Sequence, residues 1–97
     1  MIRLNKNDWR DFMKKLLIVV DYQKDFVNGS LGFKEAEYLD EYLASLIDQY
    51  HQNKDDVIFT FDTHHNNYLE TQEGKNLPIE HCIKNSDGWK LYGKVNT

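Results

Sequence analysis

Two short apolar runs, each ending on an aspartate, constrain the fold of this chain more than any other feature. They are LLIVVD at positions 16–21 and VIFTFD at positions 57–62. Neither run alternates apolar with polar residues, and such continuous runs are typical of strands covered on both faces in a parallel sheet. The sequence therefore predicts two buried strands, at 16–20 and 57–61, each leaving its sheet on an acid.

The segment between the two runs predicts a turn and then a helix. Asn28-Gly29 and Gly32 are turn signals. From about Glu35 to Gln52, apolar residues recur at intervals of three and four positions, which predicts an amphipathic helix. Strand, helix and strand in this order form a right-handed βαβ unit with parallel strands. The expected fold class is α/β.

The parallel arrangement places the two strand-ending acids, Asp21 and Asp62, at the same edge of the sheet. Open α/β folds bind their ligands at this edge. Asp21 is open to two interpretations, as a turn-forming residue or as a general base that takes a proton from a nucleophile.

Asp62 and His64 are two positions apart, so in an extended segment their side chains point the same way and can share one cation. His81 lies across a loop that can fold back to supply a third ligand. Carboxylate and imidazole groups suit zinc, iron or manganese. Spacing alone favours the plainer alternative, in which Asp62 turns the chain and the histidines are solvated.

Residues 66–94 are polar, contain Gly74, Pro78, Gly88 and Gly93, and predict no regular helix or strand. A loop of this length is usually functional or unfolded. Since two strands and one helix cannot cover a parallel sheet, we expect the chain to be the first part of a larger domain. Residues 1–12 are expected to be an extension of uncertain status, which leaves 13–97 as the domain segment.

Composition limits the partners of this 97-residue chain. Its 12 basic and 16 acidic residues give a net charge of −4 without a basic stripe, which argues against nucleic acid and anionic membranes as partners. No apolar run approaches the roughly 20 residues that span a bilayer. The single cysteine, Cys82, fits a reducing compartment, and we expect a cytoplasmic protein. Cys82 follows His81, but adjacent side chains in an extended segment point apart, so it is not expected to be a nucleophile.

Three segments in order resemble the isochorismatase-like cysteine hydrolases, and among them the nicotinamidases most closely: LLIVVDYQKDFVNGSLG (16–32), VIFTFDTHH (57–65) and YLETQEGKNLPIEHCIKNSDGWKLYG (68–93). The resemblance implies a doubly wound parallel α/β fold, of which this chain holds the N-terminal part. It also implies a catalytic Asp, Lys and Cys beside a metal. In that mechanism an Asp-activated thiolate attacks an amide carbonyl, ammonia leaves, and water hydrolyses the thioester.

Matched motif to motif, the resemblance assigns Asp21 as the general base and Phe26 as an aromatic residue beside the substrate ring. It implies a divalent metal, zinc first with iron or manganese as alternatives, which would anchor the pyridine nitrogen of nicotinamide. The implied metal ligands are Asp62, His64 and His81, with Glu73 as the best candidate for a further acid and Glu70 as the second.

The family's catalytic Lys and Cys lie on later strands, and Cys82 does not match the nucleophile. We therefore expect the N-terminal half of a nicotinamidase-like amidohydrolase, incomplete and inactive alone. Its expected partners are a small-molecule amide and either a complementing C-terminal fragment or a second copy. One alternative is a non-catalytic metal-binding or interaction module. Another is a relative that acts on isochorismate or a different amide, although the ligand set favours nicotinamide.

Overall fold

A computed structural model describes residues 14–96, so the predicted extension at 1–12 lies outside the described part. Strands β1 (Leu16–Val20) and β2 (Asp56–Thr60) pair in parallel, in a register that runs from Leu16 opposite Asp56 to Val20 opposite Thr60. The predicted α/β fold with its parallel βαβ unit is confirmed. Strand β2 begins and ends one residue earlier than the apolar run suggested.

The helices of residues 14–96 are mostly short, and none is long and apolar enough to cross a membrane. They are α1 (Lys24–Val27), α2 (Lys34–Glu37), α3 (Asp40–Gln52) and α4 (Gln72–Asn76). Short 3₁₀ helices span Tyr68–Glu70, Asp87–Trp89 and Gly93–Asn96. Helix α1 was not predicted, because one turn of helix is too short to show a periodic pattern.

The single helix predicted from about Glu35 to Gln52 is wrong, because the structure divides it into α2 and α3. The carbonyl of Ala36 accepts hydrogen bonds from the Tyr22 hydroxyl at 2.8 Å and from the Leu39 N–H at 3.3 Å. In an unbroken α-helix this carbonyl would bond to the N–H four residues later. The buried hydroxyl therefore favours a tightened turn, and α3 begins at Asp40.

Helix α3 ends in a Schellman motif that directs the chain toward β2. The Lys54 N–H donates to the His51 carbonyl at 3.0 Å, and the Asp55 N–H donates to the Tyr50 carbonyl at 2.8 Å. Lys54 has a φ of +59°, in the left-handed region that glycine usually occupies at this position.

The core lies on one face of the sheet. Leu17, Val57 and Phe59 pack against it from the strands, and its buried members are Val19, Tyr22, Val27, Ala36, Ile47 and Val95. The opposite face carries exposed apolar residues, which are Leu16 (54%), Ile18 (49%), Val20 (66%) and Ile58 (47%). One face of the sheet is therefore uncovered in the described residues, as expected for two strands and one helix. The one long crossover helix, α3, can cover only one face.

The long loop after β2 is folded, and the prediction that it contains no regular helix is wrong. Helix α4 begins there, and the Thr71 hydroxyl caps it by accepting the Gly74 N–H at 3.0 Å. The loop is held against the end of β2, because the His64 N–H donates to the Cys82 carbonyl at 2.9 Å and the Lys84 N–H donates to the His64 carbonyl at 2.8 Å. These bonds bring His81 back to the strand end.

Candidate functional site

Three predicted ligand residues converge where the chain leaves β2. Oδ2 of Asp62 lies 3.0 Å from Nε2 of His64 and 3.4 Å from Nε2 of His81. One ligand atom from each residue can be chosen so that all three lie within 4.8 Å of one another. The two imidazole rings have centroids 4.7 Å apart. This spacing lets the three side chains bind a single cation.

His81 is held with one ring nitrogen directed at Asp62. Its Nδ1 lies 2.8 Å from the Ile79 carbonyl, and because a carbonyl only accepts hydrogen bonds, Nδ1 carries the proton. In the neutral ring, the lone pair then sits on Nε2. A histidine fixed by a carbonyl in this way is the common arrangement for a metal ligand. The side chain of His81 is only 5% exposed.

His64 lies between two carboxylates. Its Nε2 faces Asp62, while its Nδ1 lies 3.4 Å from Oε2 of Glu73, whose side chain is 63% exposed. Glu73 is not part of the three-residue group. It contacts the other nitrogen of the His64 ring, a position that orients the ring. Its role as a fourth ligand stays a prediction, and Glu70, its alternative, is exposed.

The chemistry of the group fits a divalent metal. One carboxylate and two imidazoles are borderline-hard ligands of the kind that bind zinc, iron and manganese. Asp62 is partly exposed, so the group is accessible from solvent, whereas His81 is buried. Tyr68 is 1% exposed, and the centroid of its ring lies 4.7 Å from that of His64 and 5.1 Å from that of His81. The buried Tyr68 ring thus packs against both imidazole rings.

Asp21 lies at the same edge of the sheet. Its N–H donates to the Thr60 carbonyl at 3.2 Å, and its carboxylate accepts the Thr60 hydroxyl at 2.6 Å. Its φ of +52° is unusual for a residue other than glycine, and such values cluster at functional sites. These hydrogen bonds hold Asp21 against Thr60 at the end of β2.

Phe26 connects Asp21 with the metal-ligand group. The two residues line one cavity of about 330 Å³, whose other walls are mainly apolar. The Phe26 ring also packs against His81, with ring centroids 5.5 Å apart. A flat apolar ring bound in this cavity would contact Phe26, whose ring also contacts His81.

Cys82 is fully buried, and burial raises the pKa of its thiol to about 12, with further contributions from the negative charges of Asp62, Asp25 and Asp21. Because the thiolate is the nucleophilic form, Cys82 is unreactive near neutral pH. Cys82 instead contributes its main chain to the loop that presents His81.

Sequence reasoning missed three side chains of this site. Gln23 is completely buried behind Asp62, and Tyr68 lies against both histidines. Trp89 packs on Phe61 with ring centroids 5.2 Å apart. Large aromatic residues in an otherwise polar loop were the available signal for Tyr68 and Trp89. Gln23 gave none, because a single glutamine has no pattern.

A parallel βαβ unit with an acid and a carboxylate-histidine group at its carboxyl edge defines the class as an α/β protein with a candidate metal centre. The chain belongs to the isochorismatase domain family, whose model matches residues 15–97. The resemblance seen in the sequence is thus confirmed.

Relatives of known structure share the fold of this segment. The uncharacterized isochorismatase family protein PncA of Bacillus subtilis (strain 168) is 35% identical over 86 residues, which are 86% of this chain and 46% of that protein. The crystal structure of nicotinamidase/pyrazinamidase PncA from Bacillus subtilis matches with a TM-score of 0.77 and 32% identity, over 87% of this chain and 47% of the other.

A third relative was solved with a metal. The pyrazinamidase of Pyrococcus horikoshii in complex with zinc matches with a TM-score of 0.68 and 28% identity, over 78% of this chain and 43% of that one. The chain therefore spans about half the length of these relatives.

Proposed function

We propose that this chain forms the N-terminal half of a nicotinamidase-like amidohydrolase, which converts nicotinamide to nicotinate and ammonia. The observation that carries the proposal is the convergence of Asp62, His64 and His81 beside the cavity that Asp21 and Phe26 line. The names of the solved relatives, nicotinamidase and pyrazinamidase, support a small aromatic amide as substrate.

Asp62, His64 and His81 would hold a divalent metal, with zinc the first choice and iron or manganese the alternatives. Zinc in the Pyrococcus horikoshii relative supports that order. When bound, the metal supplies a Lewis acid that can anchor the ring nitrogen of the substrate. The buried His81 and the partly exposed Asp62 leave the open side of the group facing solvent.

Asp21 would act as the general base. A carboxylate at this edge can take the proton of a thiol, so that the thiolate attacks the amide carbonyl. That thiol belongs to a segment outside these 97 residues, because Cys82 is the only cysteine in the sequence and is buried with its pKa raised to about 12. Phe26 would pack against the substrate ring.

The exposed face of the sheet supports a partner that completes the domain. Leu16, Ile18, Val20 and Ile58 together present a contiguous apolar surface on the two strands. Surfaces of this kind are normally covered. We propose that the covering segment is the C-terminal half of the hydrolase domain, which would also bring the nucleophile to Asp21.

The test is a chimera of this chain and the C-terminal part of the Bacillus subtilis nicotinamidase, joined where the structural match ends. We expect ammonia release from nicotinamide that a chelator abolishes and zinc restores. Asp21→Asn should lower the rate by about 10²–10⁴-fold, the usual contribution of a general base.

Two controls make the result decisive. Asp48→Asn, on the exposed face of α3, carries the same chemical change as Asp21→Asn and should leave the rate unaltered. A chimera that is folded and loaded with zinc but releases no ammonia would contradict the proposal. Binding of zinc to this chain alone, measured on purified protein with Asp62→Ala and His81→Ala beside it, tests the metal site separately.

A further inference from the structure

We propose that Gln23 and Asp25 are positioning residues that hold the metal ligands through the main chain. Both lie directly after β1, and neither reaches the ligand atoms themselves. The inference rests on the proposed metal site, and it assigns the alignment of that site to one short segment. Gln23 fixes the end of β2, and Asp25 fixes the loop that carries His81.

Gln23 is 0% exposed, and its amide is fully hydrogen-bonded. Its Oε1 accepts the N–H of Asp62 at 2.9 Å, and its Nε2 donates to the carbonyl of Asp62 at 2.9 Å. The side chain thus pairs with Asp62 as a neighbouring strand would, at a point where β1 has already ended. A second bond from Nε2 to the Trp89 carbonyl, at 2.7 Å, joins the loop to the same amide.

The orientation of the Gln23 amide follows from its partners. Exchanging its oxygen and nitrogen would oppose the NH₂ group to the Asp62 N–H and would leave two carbonyls facing the amide oxygen. Only the observed orientation satisfies all three bonds. The main chain of Asp62 is therefore held on both its donor and its acceptor side.

Asp25 holds the main chain beside His81, as Gln23 holds the main chain of Asp62. Its Oδ2 accepts the N–H of Cys82 at 2.8 Å, and this N–H belongs to the peptide bond that follows His81. Cys82 has a φ of +50°, a conformation that residues other than glycine seldom adopt. A charge-assisted hydrogen bond at this point stabilises the turn that directs His81 toward Asp62.

The space for the Asp25 carboxylate depends on a glycine. A Cβ atom at Gly88 would come within 2.2 Å of both carboxylate oxygens of Asp25. The absence of a side chain at Gly88 thus lets the loop lie directly against the Asp25 carboxylate. Asp62 and His81 are distant in sequence, and this single segment after β1 contacts the main chain beside each of them.

The test is the zinc dissociation constant of the whole chain, measured by competition with a chelator. We expect Gln23→Glu and Asp25→Asn to weaken zinc binding by about 10–100-fold, the usual effect of losing a residue that orients a metal ligand. Gln49→Glu and Asp48→Asn make the same chemical changes on the exposed surface of α3 and should stay within about twofold of wild type.

A purely structural role is separated by two further measurements. Urea unfolding without metal identifies conditions in which each variant is fully folded, and the zinc affinity is compared only there. The visible absorption of bound Co²⁺ reports the geometry of the ligands, and it should change in both variants. Variants that are folded, bind zinc as tightly as wild type and keep the Co²⁺ spectrum would overturn the inference.

The failure of this inference is distinguishable from that of the metal site itself. If the wild-type chain binds no zinc, the proposed site is wrong and the inference falls with it. If wild type binds and the folded variants bind equally well, only the positioning role is wrong. Should Gln23→Glu not fold, Gln23→Met and Asp25→Asn decide, and an unchanged zinc affinity in either one overturns the proposal.

Discussion

The hydroxyl of Thr60 makes two hydrogen bonds to Asp21 across the ends of the two strands. The Thr60 hydroxyl donates to the Asp21 carboxylate at 2.6 Å and accepts the N–H of the same residue at 3.0 Å. One hydroxyl therefore fixes both the main chain and the side chain of Asp21, the proposed general base. Asp21 itself has a positive φ.

Replacing this hydroxyl should destabilise the chain. We expect Thr60→Val to lower the free energy of unfolding by about 1–2 kcal/mol, because it removes a hydrogen bond to a charged group and one to an amide. Thr60→Ser keeps the hydroxyl and serves as the control, with a smaller loss. Urea unfolding at neutral pH measures both, and a Thr60→Val variant as stable as wild type would show that the hydroxyl does not stabilise the chain.

The loss of zinc affinity on substituting Glu73 should show whether Glu73 orients a ligand or binds the metal itself. Because it contacts the other ring nitrogen of His64, we expect Glu73→Gln to weaken zinc binding by about tenfold, as for a residue that only orients a ligand. His81→Ala, which removes a proposed ligand, should weaken zinc binding far more than Glu73→Gln. Glu35→Gln, at an exposed glutamate of α2, is the control and should leave zinc binding unchanged. A loss for Glu73→Gln as large as that for His81→Ala would instead make Glu73 a fourth ligand.

The thiol of Cys82 should be protected in the folded chain. Complete burial and a pKa raised to about 12 keep it protonated and inaccessible at pH 8. We expect an aromatic disulfide reagent to react at least about 100-fold faster after unfolding in urea. Ser45→Cys supplies an exposed thiol in the same protein for comparison. Rapid reaction of Cys82 without urea would disprove this burial.

Tyr22 should make the stability fall at alkaline pH. Burial raises the pKa of its hydroxyl to about 12, with smaller contributions from Asp40, Tyr92 and Glu37. A pKa raised on folding adds stability that is complete below the unfolded value of about 10 and is lost as the pH rises toward 12. The protonated hydroxyl is also the form that donates to the Ala36 carbonyl.

The corresponding variant is Tyr22→Phe. At pH 7 it should be less stable than wild type by about 1 kcal/mol, because the bond to Ala36 is gone. Between pH 9 and pH 11, however, it should lose less stability than wild type. Tyr38→Phe, at an exposed position, should follow the wild-type pH profile. Parallel profiles for wild type and Tyr22→Phe would contradict the assignment to Tyr22.

Lys54→Gly should stabilise the chain. Lys54 occupies the left-handed position of the Schellman motif after α3, where a side chain is unfavourable and glycine is not. We expect a gain of about 0.5–1 kcal/mol in the free energy of unfolding. Lys90→Gly is the control, since the φ of Lys90 is −74° and glycine there only adds flexibility to the unfolded chain. A loss of stability for Lys54→Gly would contradict the assigned role.

The sequence predicted those parts of the structure that depend on local pattern. The apolar runs predicted β1 and β2, and their parallel pairing followed from the intervening helix. The placement of Asp21 and Asp62 at one edge then required only the direction of the strands. His64 and His81 were assigned by resemblance, and the structure brings their ring centroids within 4.7 Å.

The features that were missed depend on contacts between distant segments. The division of α2 from α3 is favoured by the hydroxyl of Tyr22, a residue that lies outside the helix pattern. Gln23 acquires its role only when Asp62 and Trp89 come against it. The sequence indicated that two strands and one helix leave the sheet partly uncovered, but an apolar strand does not show which segment buries its exposed face.

The bonds from Gln23 and Asp25 have a consequence for biosynthesis. The ligand side chains, and the groups that hold their main chain in place, all lie between Gln23 and Trp89. A nascent chain that has emerged from the ribosome as far as Trp89 already contains the three proposed metal ligands and the residues that hold their main chain. Metal binding at the proposed site would therefore depend on contacts made within this one stretch of the chain.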